Sequence, residues 1–196
     1  MSLRINDTIP DLEVETDEGK TSLHEFVGDS WTILFSHPKD FTPVCTTEFG
    51  AVAQLKDEWK KRGTKVIGIS VDNAEDHRNW KKDIEKVGGA EPDFPIIADD
   101  SLAVSKAFDM LPAEAYLPDG RTPNDSATVR SVFIIGPDKQ LKLTMTYPMT
   151  VGRNFAEVLR ALDALQTSSA NAVATPANWQ IGDDIIIPAT VSEEDA

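Results

Sequence analysis

The sequence predicts an α/β fold in which a mixed central sheet is flanked by helices and followed by a short C-terminal extension. Short, β-rich apolar runs alternate with helical segments through the first half of the chain, which is typical of strands covered on both faces. Two later runs joined by Gly136–Lys139 predict a hairpin, so the sheet is not purely parallel. Small and polar residues at 166–172 then precede an apolar tail.

The first predicted strand, Trp31–Ser36, leads through a loop into a helix. Pro38 and Pro43 cannot lie inside a central strand or a helix interior, so the segment between them is a loop. Thr42 is a good helix N-cap, and Pro43 is a good first helical residue. The helix is predicted to end near Gly63, after four apolar residues at helical spacing: Phe49, Val52, Leu55 and Trp59.

Periodicity and capping residues predict the remaining elements. A strand at Lys65–Val71 precedes a charged helix that has Asn73 as its N-cap and ends at Gly88-Gly89. The later predictions are a strand at Phe94–Ala98, a short helix near Leu102 to Phe108, hairpin strands at Ala127–Ile135 and Leu141–Tyr147, and an amphipathic helix from about Asn154 to Leu165.

The chain of 196 residues has the size of one compact domain with a small appendage. We predict a domain at residues 1–165 and a C-terminal segment at residues 166–196. The segment is too short to fold alone, yet it contains Trp179, Ile181 and the apolar run Ile185–Ile187. These side chains need a surface to pack on, either the body of the same chain or a second subunit.

Composition limits the class of partner. The formal net charge of -14 opposes binding to nucleic acid and to anionic membranes, because both recruit clusters of lysine and arginine. A small neutral substrate fits this charge better. No apolar run approaches the ~18 residues of a membrane span, and no apolar stretch follows Arg4. We therefore expect a soluble, cytoplasmic protein.

The sequence contains a single cysteine, Cys45. One cysteine excludes an intrachain disulfide and a thiolate-rich zinc site. The three histidines, His24, His37 and His77, show no metal-ligand spacing, so we predict neither a metal nor a cofactor and place His77 on a helix surface. Cys45 is then either a small buried hydrophobe or a reactive thiol.

The predicted helix favours a reactive thiol, because it places Cys45 in the first turn. Unpaired backbone N–H groups and the positive end of the helix dipole stabilise a thiolate there. Thr42 brings a hydroxyl beside the sulfur, able to donate to a thiolate or a bound oxygen while its own oxygen accepts a backbone N–H. Pro38 and Pro43 lack an N–H and would shield the sulfur from water.

Residues 37–48, His-Pro-Lys-Asp-Phe-Thr-Pro-Val-Cys-Thr-Thr-Glu, carry the Pro-x-x-x-Thr-x-x-Cys signature and resemble the peroxiredoxins. Two later segments, Gly152–Phe155 and Val173–Trp179, are similar to the one-cysteine subgroup typified by animal peroxiredoxin six. The resemblance covers essentially the whole chain. It implies a thioredoxin-like fold, peroxidase activity, and a homodimer in which the C-terminal segment packs across the interface with Trp179 as an anchor.

The resemblance also implies the catalytic residues. Cys45 is the expected peroxidatic thiolate, and Thr42, Pro38 and Arg130 complete the peroxide pocket. Arg130 lies among apolar residues of a predicted strand, where an arginine is costly to bury unless it is paired. We therefore expect Arg130 to face the site with a partner.

Further residues are expected to support the pocket: His37, Pro43, Val44, Glu48 and Arg153. Glu48 and Arg153 either orient Arg130 and add positive field, or form a routine surface ion pair. His37 is either a pocket residue or a hydrogen-bonded structural one.

The implied reaction is the reduction of hydrogen peroxide and organic hydroperoxides. A thiolate attacks one peroxide oxygen, the O–O bond breaks, and hydrogen-bond donors stabilise the charge on the departing oxygen. Cys45 becomes a sulfenic acid, and the chain has no second cysteine to condense with it. An external thiol, glutathione or a thioredoxin-type donor, must then reduce it.

Two other functions stay open at this level. Gly28-Asp-Ser-Trp-Thr32 resembles the lipase-like motif of animal peroxiredoxin six, with Ser30, His24 and Asp138 as the triad of a phospholipase-like serine hydrolase. Thr32 departs from the glycine of that motif, and Ser30 comes before a strand, where it also fits an ordinary turn. A non-enzymatic peroxide sensor or an oligomeric chaperone would use the same reactive thiolate.

Overall fold

The structure, a computed structural model, describes residues 3–116 and 126–188. The chain forms two compact units, one up to Arg153 and one from Asn154 onward. In the described residues, the first unit contains a seven-stranded sheet, and the second contains a long helix and the segment that follows it. None of the described helices is both long and apolar enough to cross a bilayer.

The strands of the described residues are β1 Glu13–Thr16, β2 Gly19–Ser22, β3 Trp31–Ser36, β4 Thr64–Ser70, β5 Ile96–Ala98, β6 Arg130–Ile135 and β7 Leu141–Tyr147. The helices are α1 Leu23–Val27, α2 Pro43–Gln54, α3 Lys56–Lys61, α4 Ala74–Gly88, α5 Ala103–Ala107 and α6 Phe155–Asn171, with a short 3-10 helix at Ala113–Tyr116.

The sheet has the strand order β2-β1-β5-β4-β3-β6-β7. Strand β4 is parallel to both β3 and β5, whereas β6 is antiparallel to β3 and to β7. The prediction of a mixed sheet is therefore confirmed. Strands β3, β4 and β6 are buried almost throughout, as their apolar composition requires, and their side chains supply much of the core.

Three features of the structure differ from the predictions. The predicted helix after Thr42 breaks at Leu55, because the indole Nε1 of Trp59 donates to the carbonyl of Val52, which would accept an N–H in an unbroken helix. The hairpin β1-β2 was missed, although β1 alternates exposed and buried residues as a half-buried strand does. Strand β6 begins at Arg130, three residues after the predicted start at Ala127.

The last helix, α6, also runs further than the predicted end at Leu165. Ser168 donates to the carbonyl of Ala164 and Asn171 to that of Thr167, so polar residues expected to form a linker continue the helix to Asn171. The proposed boundary between 165 and 166 thus falls within α6. Residues 189–196 of the predicted C-terminal segment lie outside the described residues.

Helices α2 and α4 cross at two glycines. A Cβ atom built on Gly50 would lie 2.9 Å from the Cα of Gly88, and one built on Gly88 would lie 2.7 Å from the Cα of Gly50. Only glycine at both positions permits this approach. The crossing holds the helix that carries Cys45 against α4.

Candidate active site

Strand pairing positions the loop that precedes α2. Phe35 of β3 pairs with Val132 of the antiparallel β6, so Arg130 lies opposite the point where the chain leaves β3. The chain then passes through residues 37–42 and enters α2 at Pro43. The start of β6 therefore lies close to the first turn of α2, as the contact between Arg130 and Cys45 shows.

Cys45 is the third residue of α2 and is 0% exposed. Its position in the first helical turn agrees with the sequence prediction. The Sγ atom lies 3.3 Å from Nη1 of Arg130, which donates to it. A buried sulfur that accepts a hydrogen bond from a guanidinium is in a site suited to a thiolate, because a cationic donor stabilises the anion.

Two arginines and one glutamate surround this contact. Nη1 of Arg130 also donates to Oε2 of Glu48 at 2.7 Å. Arg153 binds the same carboxylate through its Nε, at 3.0 Å from Oε1, and its Nη2, at 2.8 Å from Oε2. All three side chains are buried, so Glu48 and Arg153 form no routine surface ion pair.

Backbone groups hold both guanidinium groups in place. Nε of Arg130 donates to the carbonyl of Met149 at 2.7 Å, and Nη1 of Arg153 donates to the carbonyl of Ser131 at 2.9 Å. The guanidinium of Arg153 also lies over the ring of Phe35, 5.2 Å from its centroid. The positive charges are therefore fixed before any substrate binds, which is the arrangement that stabilises developing charge.

The cluster has one more cation than anion. Burial by itself would raise the pKa of Glu48, but hydrogen bonds and charge from Arg153, with the charge of Arg130, outweigh it and hold the pKa below its ordinary value. Glu48 is thus ionised at neutral pH, and Arg130, Arg153 and Glu48 together leave one net positive charge beside Cys45.

Thr42 precedes α2 as its N-cap residue, but its side chain makes no capping hydrogen bond. The hydroxyl instead donates to the carbonyl of Lys39 at 2.9 Å. The prediction that its oxygen accepts a backbone N–H of the helix is therefore wrong. Because its one proton is used, the Thr42 oxygen has only acceptor capacity left for a ligand.

The other predicted pocket residues differ in exposure. Pro38 is buried, Val44 is partly buried, and Pro43 is exposed at the first position of α2. The backbone of Gly152 approaches Val44, since a Cβ there would lie 3.7 Å from Cγ1 of the valine. Val44 lies within the first turn of α2, whereas the ring of Pro43 faces solvent.

His37 belongs to a buried cluster that the sequence analysis missed. Its Nε2 lies 2.6 Å from Oδ1 of Asp40, and Nδ1 of His77 lies 2.6 Å from Oδ2 of the same carboxylate. His77 is fully buried, so its predicted place on a helix surface is wrong. The spacing of the buried residues His77, Trp80, Lys81 and Ile84 along α4 was the available signal.

The atoms of His37, Asp40 and His77 that face one another are close enough to ligate a metal ion. Imidazole and carboxylate are ligands that zinc accepts. In this structure each facing atom is already used in a hydrogen bond of 2.6 Å. The facing atoms are therefore already paired with one another as hydrogen-bond partners.

The three residues of the hydrolase motif do not meet in the described structure. His24 directs Nε2 to the carbonyl of Ile9, and Asp138 accepts from Lys142 and from the N–H of Gln140. No hydrogen bond among the described residues joins Ser30 to His24 or to Asp138. The geometry thus gives Ser30 no base.

Comparison with known proteins decides the family. Residues 5–144 match the model of the AhpC/TSA family, and residues 164–196 match the model named C-terminal domain of 1-Cys peroxiredoxin. The chain belongs to the AhpC/TSA family, among the one-cysteine peroxiredoxins. The thioredoxin-like fold and the thiol-dependent peroxidase activity expected from the sequence are confirmed by these relationships.

Two curated relatives cover nearly all of this peroxiredoxin. The mitochondrial peroxiredoxin PRX1 of Saccharomyces cerevisiae is 48% identical over 99% of the chain and 74% of its own length. A 1-Cys peroxiredoxin of Medicago truncatula is 48% identical over 99% of the chain and 87% of its own length.

Two solved peroxiredoxin structures share the fold closely. Peroxiredoxin 6 of Arenicola marina, in a cysteine-to-serine mutant, has a TM-score of 0.89 at 44% identity and covers 99% of this chain and 87% of its own. The yeast mitochondrial 1-Cys peroxiredoxin has a TM-score of 0.88 at 48% identity, with coverages of 98% and 90%.

The predicted cytoplasmic location is corrected by these relatives. One peroxiredoxin that is 48% identical to the chain is named mitochondrial. Net charge and the lack of long apolar runs constrain contacts with membranes and nucleic acid, but they do not distinguish one aqueous compartment from another. The composition therefore could not support the prediction.

Proposed function

We propose that this peroxiredoxin reduces hydrogen peroxide and organic hydroperoxides at Cys45, with Arg130, Thr42 and Pro38 forming the peroxide pocket. The hydrogen bond of 3.3 Å from Nη1 of Arg130 to Sγ of Cys45 carries the proposal. It joins the sulfur of the single cysteine to a buried group of net positive charge, as peroxide reduction by a thiolate requires.

In the first half-reaction the Cys45 thiolate attacks the nearer oxygen of the hydroperoxide. An S–O bond forms as the O–O bond breaks, sulfur is oxidised to a sulfenic acid, and the departing oxygen leaves with the electron pair. Arg130 and the N–H groups at the start of α2 stabilise that negative charge where it develops. The departing oxygen then takes up a proton to become water or an alcohol.

The remaining pocket residues orient the substrate. The Thr42 hydroxyl proton is directed to Lys39, so its oxygen accepts the O–H of the incoming hydroperoxide and turns the O–O bond toward the sulfur. Buried Pro38 limits the access of water. Glu48 and Arg153 hold the guanidinium of Arg130 through the buried carboxylate.

In the second half-reaction an external thiol attacks the sulfenic acid, releases water and forms a mixed disulfide, and a second thiol then regenerates Cys45. Glutathione or a thioredoxin-type donor is the proposed reductant. The structure of a relative 48% identical to this chain is described as showing thiol resolution by glutathione and thioredoxin systems in the yeast mitochondrial enzyme.

The proposed assembly is a homodimer that uses the C-terminal segment, residues 166–196. Its apolar residues Ile181, Ile185, Ile186 and Ile187 are exposed by 43% to 68%, and such a patch favours a protein partner. Trp179 is a poor candidate for the anchor, because it is 4% exposed and its Nε1 donates to the carbonyl of Asp183.

A titration with peroxide and thiol tests the function. One equivalent of peroxide should add one oxygen to Cys45 by mass spectrometry, and catalytic thiol should support many turnovers. Cys45→Ser should abolish turnover, and Thr47→Ser, at an exposed position of α2, should retain it. Stoichiometric consumption without turnover under glutathione and under thioredoxin would favour a sensor and contradict the proposal.

A further inference from the structure

The carboxylate of Asp40 joins two buried histidines that come from different elements. His37 follows β3, whereas His77 lies in α4, and both are 0% exposed. In the sequence, Asp40 lies between Pro38 and Thr42, two residues of the proposed peroxide pocket. Its N–H donates to Oδ2 of Asp72 at 2.9 Å, so its backbone ties the loop to the segment after β4, and its side chain ties the loop to α4.

Two hydrogen bonds hold the ring of His77. Its Nε2 lies 3.2 Å from the carbonyl oxygen of Ile97, and a carbonyl can only accept, so Nε2 is the donor in this contact. Its Nδ1 lies 2.6 Å from Oδ2 of Asp40. His77 therefore joins the backbone of β5 to the carboxylate of Asp40.

The two histidines stabilise the charged form of Asp40. Burial raises the pKa of its carboxyl, but hydrogen bonds from His37 and His77 outweigh burial and hold the pKa below its ordinary value. An ionised Asp40 then accepts one hydrogen bond at each oxygen, Oδ1 from His37 and Oδ2 from His77, as a buried carboxylate requires.

His37 completes the bridge in its neutral form. Burial, the largest influence, lowers the pKa of His37 and outweighs the hydrogen bond to Asp40 that would raise it. With Nε2–H donated to Asp40, its Nδ1 is an unprotonated nitrogen, and this atom has no partner among the described residues. Asp40 thus selects one tautomer of His37.

We propose that Asp40 and His77 are positioning residues for the peroxidase reaction. The hydrogen bonds that Asp40 makes with His37 and with His77 hold the loop of residues 37–42, and with it Pro38 and Thr42, in the geometry that receives peroxide. The proposal rests on the proposed function for its effect on rate. The tautomer of His37 is independent of that function.

Nitrogen-15 NMR of the histidine rings tests this arrangement in the reduced wild-type chain at neutral pH. His37 should show a protonated Nε2, which donates to Asp40, and an unprotonated Nδ1. A His37 ring that is protonated at Nδ1 would overturn the proposal. This readout is unaffected if the chain proves to have no peroxidase turnover.

Variants test the effect on rate, measured as the second-order rate constant for oxidation of Cys45 per titrated thiol. Asp40→Asn should lower it about 10- to 100-fold, as loss of an orienting partner does. His77→Leu should have a similar effect, and His77→Asn, whose amide can still donate to Asp40, should recover part of the rate. Asn79→Ala, on the exposed face of α4, is the matched control.

A merely structural role would reduce the folded fraction but leave the rate constant of the folded protein unchanged. Wild-type rate constants in both Asp40→Asn and His77→Leu would therefore overturn the proposal. If Asp40→Asn does not fold, the proposal would be overturned by equal rate constants in His77→Leu and His77→Asn. Failure of the proposed function would look different from failure of this proposal. In that case the wild-type protein, supplied with thiol, would consume no more than one equivalent of peroxide per Cys45.

Discussion

Arg130 performs three tasks with one planar group. It donates to Cys45, to Glu48 and to the carbonyl of Met149, and only a guanidinium has enough donors in a fixed plane for all of them. A lysine at the same position would keep the charge but could not maintain these directions. Substitution of Arg130 by lysine therefore tests whether the positive charge alone is enough or whether the fixed directions of its donors are also needed.

Arg130→Lys should lower the rate constant of Cys45 oxidation by roughly 100- to 1,000-fold, the usual effect of losing one preorganised donor to a developing anion. Stopped-flow tryptophan fluorescence with hydrogen peroxide measures it. Arg62→Lys alters an arginine that pairs with Glu58 away from the site and should leave the rate unchanged. A wild-type rate in Arg130→Lys would show that charge alone suffices.

Glu48 has a consequence for stability as well as for orientation. Its pKa is below the ordinary value in the folded chain, so its contribution is fully present above the ordinary glutamate pKa of about 4.3 and is lost as pH falls through the lowered value. Glu48→Gln should destabilise the fold by about 3–5 kcal/mol, because two buried arginines lose their counter-ion.

Denaturant unfolding between pH 3 and pH 7 measures both effects of Glu48→Gln. The variant should be less stable than wild type at neutral pH, and the difference should shrink as the medium is acidified through the lowered pKa. Glu25→Gln, in the short helix α1, serves as a control. A difference that is constant across this range would contradict the assignment of Glu48 as an ionised partner.

The local signature allowed prediction of only part of the site. Thr42, Cys45 and Glu48 lie within one short segment, and their resemblance to a family could be recognised directly. Asp40 lies in that segment too, but its importance depends on His77, which is 37 residues away. No pattern of residues along the chain indicates that two histidines share one carboxylate, so this contact could be found only from the three-dimensional structure.

At the scale of elements, the crossing of α2 and α4 determines where the reactive turn lies. Besides the two glycines, Trp80 of α4 donates through Nε1 to the hydroxyl of Thr46, the residue after Cys45. Gln54 donates to the carbonyl of Gly88 at 2.6 Å. The position of Cys45 thus depends on the close contact of two helix backbones.

Gly50→Ala should destabilise the protein by about 1–3 kcal/mol through overpacking, although alanine favours helices by about 1 kcal/mol over glycine. The reason is the 2.9 Å separation of its Cβ from the backbone of Gly88. Thermal and urea unfolding measure the change, with the exposed Thr47→Ala in the same helix as control. An increase in stability would contradict the close crossing.

Apolar strands were the elements best predicted from sequence. Residues Trp31–Ser36 and Leu141–Tyr147 form strands with the predicted boundaries, because burial on one or both faces imposes a clear pattern. The break at Leu55 could not be predicted, since it depends on where the Trp59 indole finds an acceptor. Tertiary hydrogen bonds thus set the boundaries that periodicity leaves open.

At the scale of the whole molecule, the exposed isoleucines near the C-terminal end bear on assembly. If the proposed dimer uses them, Ile185→Glu should shift the protein toward the monomer, because a charge replaces an apolar contact in the interface. Sedimentation velocity at several concentrations measures the shift. Val87→Glu, at an exposed apolar residue of the first unit, is the control, and an unchanged dimer in Ile185→Glu would exclude this surface.

The burial of Cys45 separates the two half-reactions by the size of the molecule that must enter. The thiol that reduces the oxidised sulfur is larger than a hydroperoxide, and it must reach an atom that is 0% exposed. If the first turn of α2 must open to admit the thiol, the rate of that opening is a property of the protein and not of the thiol. Different thiols at saturating concentration should therefore reach one common maximal rate of reduction, set by how often the turn opens.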